Sequence, residues 1–131
     1  MARYFTLEEA SALLPRVRPI VEEIVGLRAR LAEAEQGLVA LHWKARANGH
    51  VSPEGSFSAG QSTRTELLGQ IKEQTAKLHA LGIELKDPAI GLIDFPSQRE
   101  GRVVYLCWKL GEAAIAYWHE IEAGYAGRQP L

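Results

Sequence analysis

The sequence predicts an α+β fold: a long antiparallel helical hairpin, coiled-coil-like, packed with a small antiparallel β-meander in the C-terminal half. Three observations predict it. Apolar residues recur about every 3.5 positions from Ile20 to Leu41. A second helical pattern follows a Ser/Gly/Pro-rich stretch and stops at Gly82. Beyond Gly82 the hydrophobic period falls to near 2, with turn signals between the runs. Residues 1–131 read as one domain, with the hairpin over about 6–82 and the β-rich part over about 83–131.

Thr6-Leu7-Glu8-Glu9 has the form of a capping box, in which the Thr6 hydroxyl and the Glu9 carboxylate each satisfy the other's amide. A short helix over 7–14 follows. Pro15 lacks an amide proton and clashes with the preceding turn, so it is expected to end that helix and open the next. Pro19 is a further candidate kink. Ile20, Ile24, Leu27, Leu31, Ala34, Leu38 and Leu41 then form the seam, and Ala47-Asn48-Gly49 suits a left-handed cap. Residues 50–62 read as a flexible loop. The second helix, about 63–81, carries Leu67, Leu68, Ile71, Thr75, Leu78 and Leu81 on one side. At 1.5 Å per residue the helices span about 45 Å and about 28 Å. Part of the longer seam is therefore left for the sheet, the N-terminal helix or a second subunit to cover.

Four strands follow. Ile83–Lys86 alternates. Ile90–Phe95 is stopped by Pro96, and 97–101 is a hairpin loop. Arg102–Lys109 is rich in strand formers. Ile115–Ile121 reads as a strand because Tyr117 and Trp118 alternate with Ile115 and Ile121, although Ala113, Ala114 and Ala116 favour a helix. The tail from Gly124 is irregular, and no internal repeat is present.

Composition narrows the function classes. Hydrophobic residues at 47% supply a core that needs no disulfide, and the lone Cys107 offers none. Fifteen basic side chains against 16 acidic ones, a net charge of -1, leave no excess to neutralise phosphates, so no nucleic-acid partner is expected. The N-terminus turns acidic at Glu8 and Glu9, and no run approaches the roughly 20 apolar residues of a membrane span. A cytoplasmic protein without a membrane partner is expected.

Several stretches are distinctive: Tyr4-Phe5-Thr6-Leu7-Glu8-Glu9-Ala10, Gly91-Leu92-Ile93-Asp94-Phe95-Pro96, the run Gly101–Glu112, Tyr117-Trp118-His119-Glu120, and Ala123–Pro130. In these the chain resembles, over nearly its whole length, the bacterial family catalogued as domain of unknown function 2203. The resemblance implies a small bacterial protein and brings no activity or cofactor with it.

Chemistry concentrates in residues 94–128. By strand parity Tyr105 and Cys107 share one face, and so do Tyr117 and His119. If the third and fourth strands pair, Cys107 or Tyr105 lies near His119. Asp94 and Arg99 approach from the second strand and its loop, and Arg128 can fold back from the tail. The ligand-binding candidates are thus Asp94, Arg99, Tyr105, Cys107, His119, Glu120 and Arg128.

As a metal site, the region offers His119, Cys107, Glu120, Glu122 and Asp94 as ligand types, His119 and Glu120 foremost, but lacks a second histidine four residues on, where Ala123 stands. One cysteine also argues against a thiolate-rich structural zinc site. The plainer expectation is an imidazole bonded to a carboxylate or carbonyl within the sheet. Cys107 as a nucleophile needs a base and exposure, and a thiol between Leu106 and Trp108 is more often inert. Asp94 with His119 or Glu120 has acid–base potential, against which stands an ion pair with Arg99, Arg102 or Arg128. Gly124–Arg128 can bind an anion, but pinning the tail is the simpler role. His42, His50 and His79 have no helical partner spacing, and Trp43, Trp108 and Trp118 read as core.

Two functions stand. The first is an interaction or scaffold protein that homodimerises through its long helix. The alternative is a small-ligand or metal-binding module around Asp94, His119, Glu120 and Arg128. No cofactor is implied and enzymatic activity is not favoured.

Overall fold

A computed structural model of the chain describes residues 3–48 and 54–131. Two helices, α1 (Leu7–Asn48) and α2 (Glu54–Ala80), precede a five-stranded antiparallel sheet. Its strands are β1 (Glu84–Asp87), β2 (Leu92–Arg99), β3 (Arg102–Lys109), β4 (Tyr117–Glu120) and β5 (Gln129–Pro130), in the spatial order β1-β2-β3-β4-β5. The α+β class and the meander are as the sequence predicts.

The capping box starts α1. Thr6 N donates to Glu9 Oε1 at 2.9 Å, and Glu9 N to Thr6 Oγ1 at 3.1 Å. The expected break at Pro15 does not occur, and α1 runs unbroken for 42 residues through both prolines. Pro15 and Pro19 are exposed, as is Ser11. The carbonyls they deprive of an amide partner, those of Ser11 and Pro15, therefore belong to exposed residues, where solvent can take the place of the amide. The buried stripe accordingly begins ten residues before Ile20, at Ala10, and continues through Leu14, Val17, Val21, Ile24, Leu27 and Leu31.

Of the loop expected over 50–62, residues 50–53, His50 among them, lie outside the described residues, and the rest is helix. Helix α2 runs antiparallel to α1. Leu67 packs on Leu27 and Leu31, Arg64 pairs with Glu35 at 3.4 Å, and Leu38 lies over Gly60. At its end Ile83 N donates to Leu78 O and Gly82 N to His79 O, with Gly82 at φ 87°. That is a Schellman cap, and Leu78 and Ile83 both join the core.

Strand β2 does not stop at Pro96 but runs on to Arg99. Pro96 O accepts from Phe5 N at 2.7 Å, so its backbone groups point to the edge away from β3. The missing amide proton thus costs no β2–β3 bond. Its counterpart on the Phe5 carbonyl is supplied by the Ser97 hydroxyl at 2.6 Å. The hairpin loop shrinks to Glu100-Gly101, both at positive φ (51° and 79°), as a two-residue turn requires. Residues 117–120 are strand rather than helix. The tail, expected to be irregular, adds β5, with Gln129 opposite Trp118 and Pro130 opposite Tyr117.

One sheet face packs on the helices. Ile93, Phe95, Val104, Leu106, Trp108 and Trp118 meet Phe5, Leu14, Val17, Val21, Ile24 and Leu78. This sheet covers the first half of α1, so the length mismatch between the helices is met within the chain. Among the described residues no helix is long and apolar enough to cross a membrane.

Candidate functional site

The opposite sheet face carries the chemistry. Strand pairing sets Glu84, Asp94, Cys107 and Tyr117 in one cross-strand row, and Pro96, Tyr105 and His119 in the next. Asp94, Cys107 and His119 therefore come from three adjacent strands onto neighbouring positions. Their ligand atoms lie within 4.8 Å of one another. All three are buried: Asp94 is 1% exposed, Cys107 0% and His119 2%.

The imidazole is fixed at both nitrogens. Nδ1 lies 2.8 Å from the Glu120 carbonyl, which can only accept, so Nδ1 carries a proton. Nε2 lies 3.0 and 3.1 Å from the two Asp94 oxygens. A bare imidazole lone pair and a carboxylate repel at that distance. The contact holds only with a proton or another cation between them.

Burial pushes the Asp94 carboxyl above its ordinary value, opposed by the His119 imidazole and by hydrogen bonds from His119 and Cys107. Burial first, and the Asp94 charge second, push the Cys107 thiol up to about 12. With no cation bound it is therefore a neutral thiol at physiological pH, unsuited to nucleophilic attack. A bound divalent ion reverses that balance and takes the thiolate.

Tyr105 walls the cluster. It stands opposite His119, with ring centroids 5.5 Å apart, and two positions along β3 from Cys107. A register shift between Leu85 and Asp87 takes Lys86 out of the ladder. Its ammonium lies 2.9 Å from Glu84 and 4.7 Å from the Tyr105 ring centroid.

Arg128 is engaged within the chain. It grips both Glu112 oxygens at 2.8 Å and lies 4.1 Å over Tyr117, pinning the tail beside the cluster. Glu112 also accepts from Lys109 N at 2.7 Å and, through its carbonyl, from Trp108 Nε1 at 3.1 Å.

The remaining candidates lie elsewhere. Arg99 stacks 4.4 Å over Trp118 on the other face. The Glu120 side chain points the same way and is bound by Arg102, so only its carbonyl reaches the cluster. His42 and Trp43 are exposed near the far end of α1 rather than packed in its seam. Sequence reading missed Glu112, whose only signal was its place in the turn after β3. It also missed Glu84, whose role depends on register with Asp94.

Residues 3–131 match the family model described as "Uncharacterized conserved protein (DUF2203)". No curated protein and no solved structure matches the chain.

Proposed function

Because the chain belongs to the DUF2203 family of uncharacterised proteins, which brings no activity with it, we propose from the site geometry that it is a metal-binding module holding one divalent transition ion at Asp94, Cys107 and His119. One observation carries the reading. The His119 Nε2 lone pair, with Nδ1 already committed to the Glu120 carbonyl, is aimed at the Asp94 carboxylate. A ligating histidine characteristically donates its second N–H to a carbonyl or carboxylate in this way. One nitrogen, one sulfur and one oxygen ligand suit zinc or a neighbouring late first-row ion, and three protein ligands leave a coordination position free. A single thiol ligand also fits a reducing compartment, which is why we place the protein in the cytoplasm.

The test is metal content after chelation and reloading, read by native mass spectrometry beside elemental analysis. One equivalent of zinc is expected in the wild type and none in His119→Ala or Cys107→Ser. Stripped protein that takes up no metal leaves a proton as the cation between His119 and Asp94, and the reading fails.

A second reading is an interaction protein that homodimerises through the long helix. Val39, 55% exposed, and Trp43, 61% exposed, favour it. Val39→Asp with Trp43→Ala then converts a dimer to a monomer in light scattering. A wild-type monomer at high concentration removes this reading.

A further inference from the structure

The cluster lies on the sheet face turned away from the helices, yet its three residues are at most 2% exposed. Side chains on that face therefore roof it, and they come from two sides. On the β1 side stand Tyr105 and Lys86, whose ammonium lies 4.7 Å from the Tyr105 ring centroid. On the β4 side stand Tyr117, opposite Cys107 in the ladder, and Arg128. Arg128 Nη2 lies 3.5 Å from the Cys107 carbonyl. Its guanidinium meets two rings, 4.1 Å from the Tyr117 centroid and 5.0 Å from that of Tyr125. A metal ion needs a way through this roof.

The two sides differ in what moving them disrupts. Tyr105 stands mid-strand in β3, which is paired on both edges, with β2 and with β4. Arg128 belongs to residues 121–131, none of which is buried. Few bonds hold that segment. They are the two-residue pairing of β5 with β4, the bond from Leu131 N to Ala116 O at 2.9 Å, the contact of Lys109 Nζ with the Tyr125 hydroxyl at 3.2 Å, and the Arg128 grip on Glu112. Lifting it leaves β2, β3 and β4 paired and the core intact, which is a local opening rather than unfolding. The grip is also incomplete. Arg128 Nε is buried and has no hydrogen-bond partner among the described residues. A donor buried unpaired is destabilising, and it regains water when the segment lifts. The residue that closes the segment therefore also lowers the cost of opening it.

We infer that residues 121–131 are a strap that opens and closes over the Asp94, Cys107 and His119 cluster, with Arg128 as its latch, and that metal enters and leaves when the strap lifts. What passes rests on the metal reading above. The opening does not, because the Cys107 thiol reports it with no metal present. In the wild type the strap is shut almost all the time, so exchange is slow.

Two rates test it on the full chain. One is the labelling of Cys107 by Ellman's reagent in the metal-free protein, across low urea concentrations. The other is the loss of zinc to excess chelator from the loaded protein. Two variants loosen the strap by different means. Arg128→Ala removes the latch. Gly127→Ala drives a Cβ into that of Ala123, which cannot swing aside. Arg128→Ala is expected to speed both rates by about tenfold or more, the factor that one lost charge-assisted bond gives an opening equilibrium. Gly127→Ala is expected to act in the same direction. In both, low urea is expected to leave the labelling rate unchanged, since a lifted strap exposes little surface. Unchanged rates, or labelling that climbs with urea as steeply as global unfolding, overturn the strap. So does Lys86→Ala if it alone speeds them, because the way in then lies on the β1 side. Faster labelling in a protein that takes up no zinc keeps the opening and removes the metal reading. Zinc uptake with unchanged rates does the reverse.

Discussion

The Ser97 hydroxyl donates to the Phe5 carbonyl at 2.6 Å, in place of the amide proton that Pro96 lacks. With the bond from Phe5 N to Pro96 O, this annexes the N-terminal segment to the open edge of β2. Ser97 is 6% exposed and Phe5 2%, so the carbonyl has no ready access to water. Ser97→Ala leaves a buried acceptor unsatisfied, which costs about 1–3 kcal/mol. Urea unfolding measures it, as a lower midpoint with an unchanged m-value. A loss under about 0.5 kcal/mol means that water reaches the Phe5 carbonyl.

Gly91 meets three constraints at once. Its φ is 68°, and a Cβ there would lie 2.8 Å from both Leu110 Cβ and Val21 Cγ1, and 3.0 Å from Val25 Cγ2. The clash is with atoms where α1 meets the sheet, which cannot swing aside freely. Gly91→Ala is expected to cost about 2 kcal/mol or more from the left-handed backbone and overpacking together. Gly101 has a similar φ of 79° but open space around it, so Gly101→Ala isolates the backbone share. Equal losses at the two positions exclude a packing contribution at Gly91.

Cys107 is fully buried with its thiol pushed up to about 12, so the metal-free native protein resists thiol reagents at pH 8. Ellman's reagent is expected to report one thiol in denaturant and almost none in the folded state. Rapid native labelling would show that the β3–β4 ladder opens easily over the cluster.

Parity alone placed Cys107 with Tyr105, and His119 with Tyr117, because β3 and β4 are regular and each residue's face follows from counting. Asp94 joined them through the β2 register. The prolines misled for one reason throughout. Pro15, Pro19 and Pro96 break an element only where the lost hydrogen bond is needed, and each sits where water, or the strand's outer edge, makes it dispensable. That depends on burial, which local sequence does not carry. Strand β5 was hidden by its length of two residues. The contact of Arg3 with the Leu81 carbonyl was hidden too, since the two are 78 positions apart in the chain.

The α1 cap carries a pH signature. The Glu9 carboxyl is held below its ordinary 4.5, first by the Thr6 backbone amide and then by the Thr6 hydroxyl. A carboxylate depressed on folding stabilises the native state fully above its unfolded value and ceases to do so as pH falls through its folded value. The melting temperature of wild type minus that of Glu9→Gln is therefore expected to stay constant from pH 7 down to about 4.5, and to close below it. A gap independent of pH would show that the ionised form of Glu9 contributes nothing to the cap.

Asp94→Asn separates a metal centre from a purely structural cluster. In the metal-free protein the asparagine amide donates to His119 Nε2, the acceptor left once Nδ1 bonds the Glu120 carbonyl. The shape is kept and a buried charge is removed, so the metal-free variant is expected to lose less than about 1 kcal/mol. The two readings diverge on adding zinc. A ligand at a hundred times its Kd stabilises the fold by about 2.7 kcal/mol, and a neutral amide is a poor third ligand. Wild type is therefore expected to melt at a higher temperature with zinc, and Asp94→Asn to melt at the same temperature with and without it. If zinc moves neither protein, Asp94 and His119 hold a proton between them and the cluster serves the sheet.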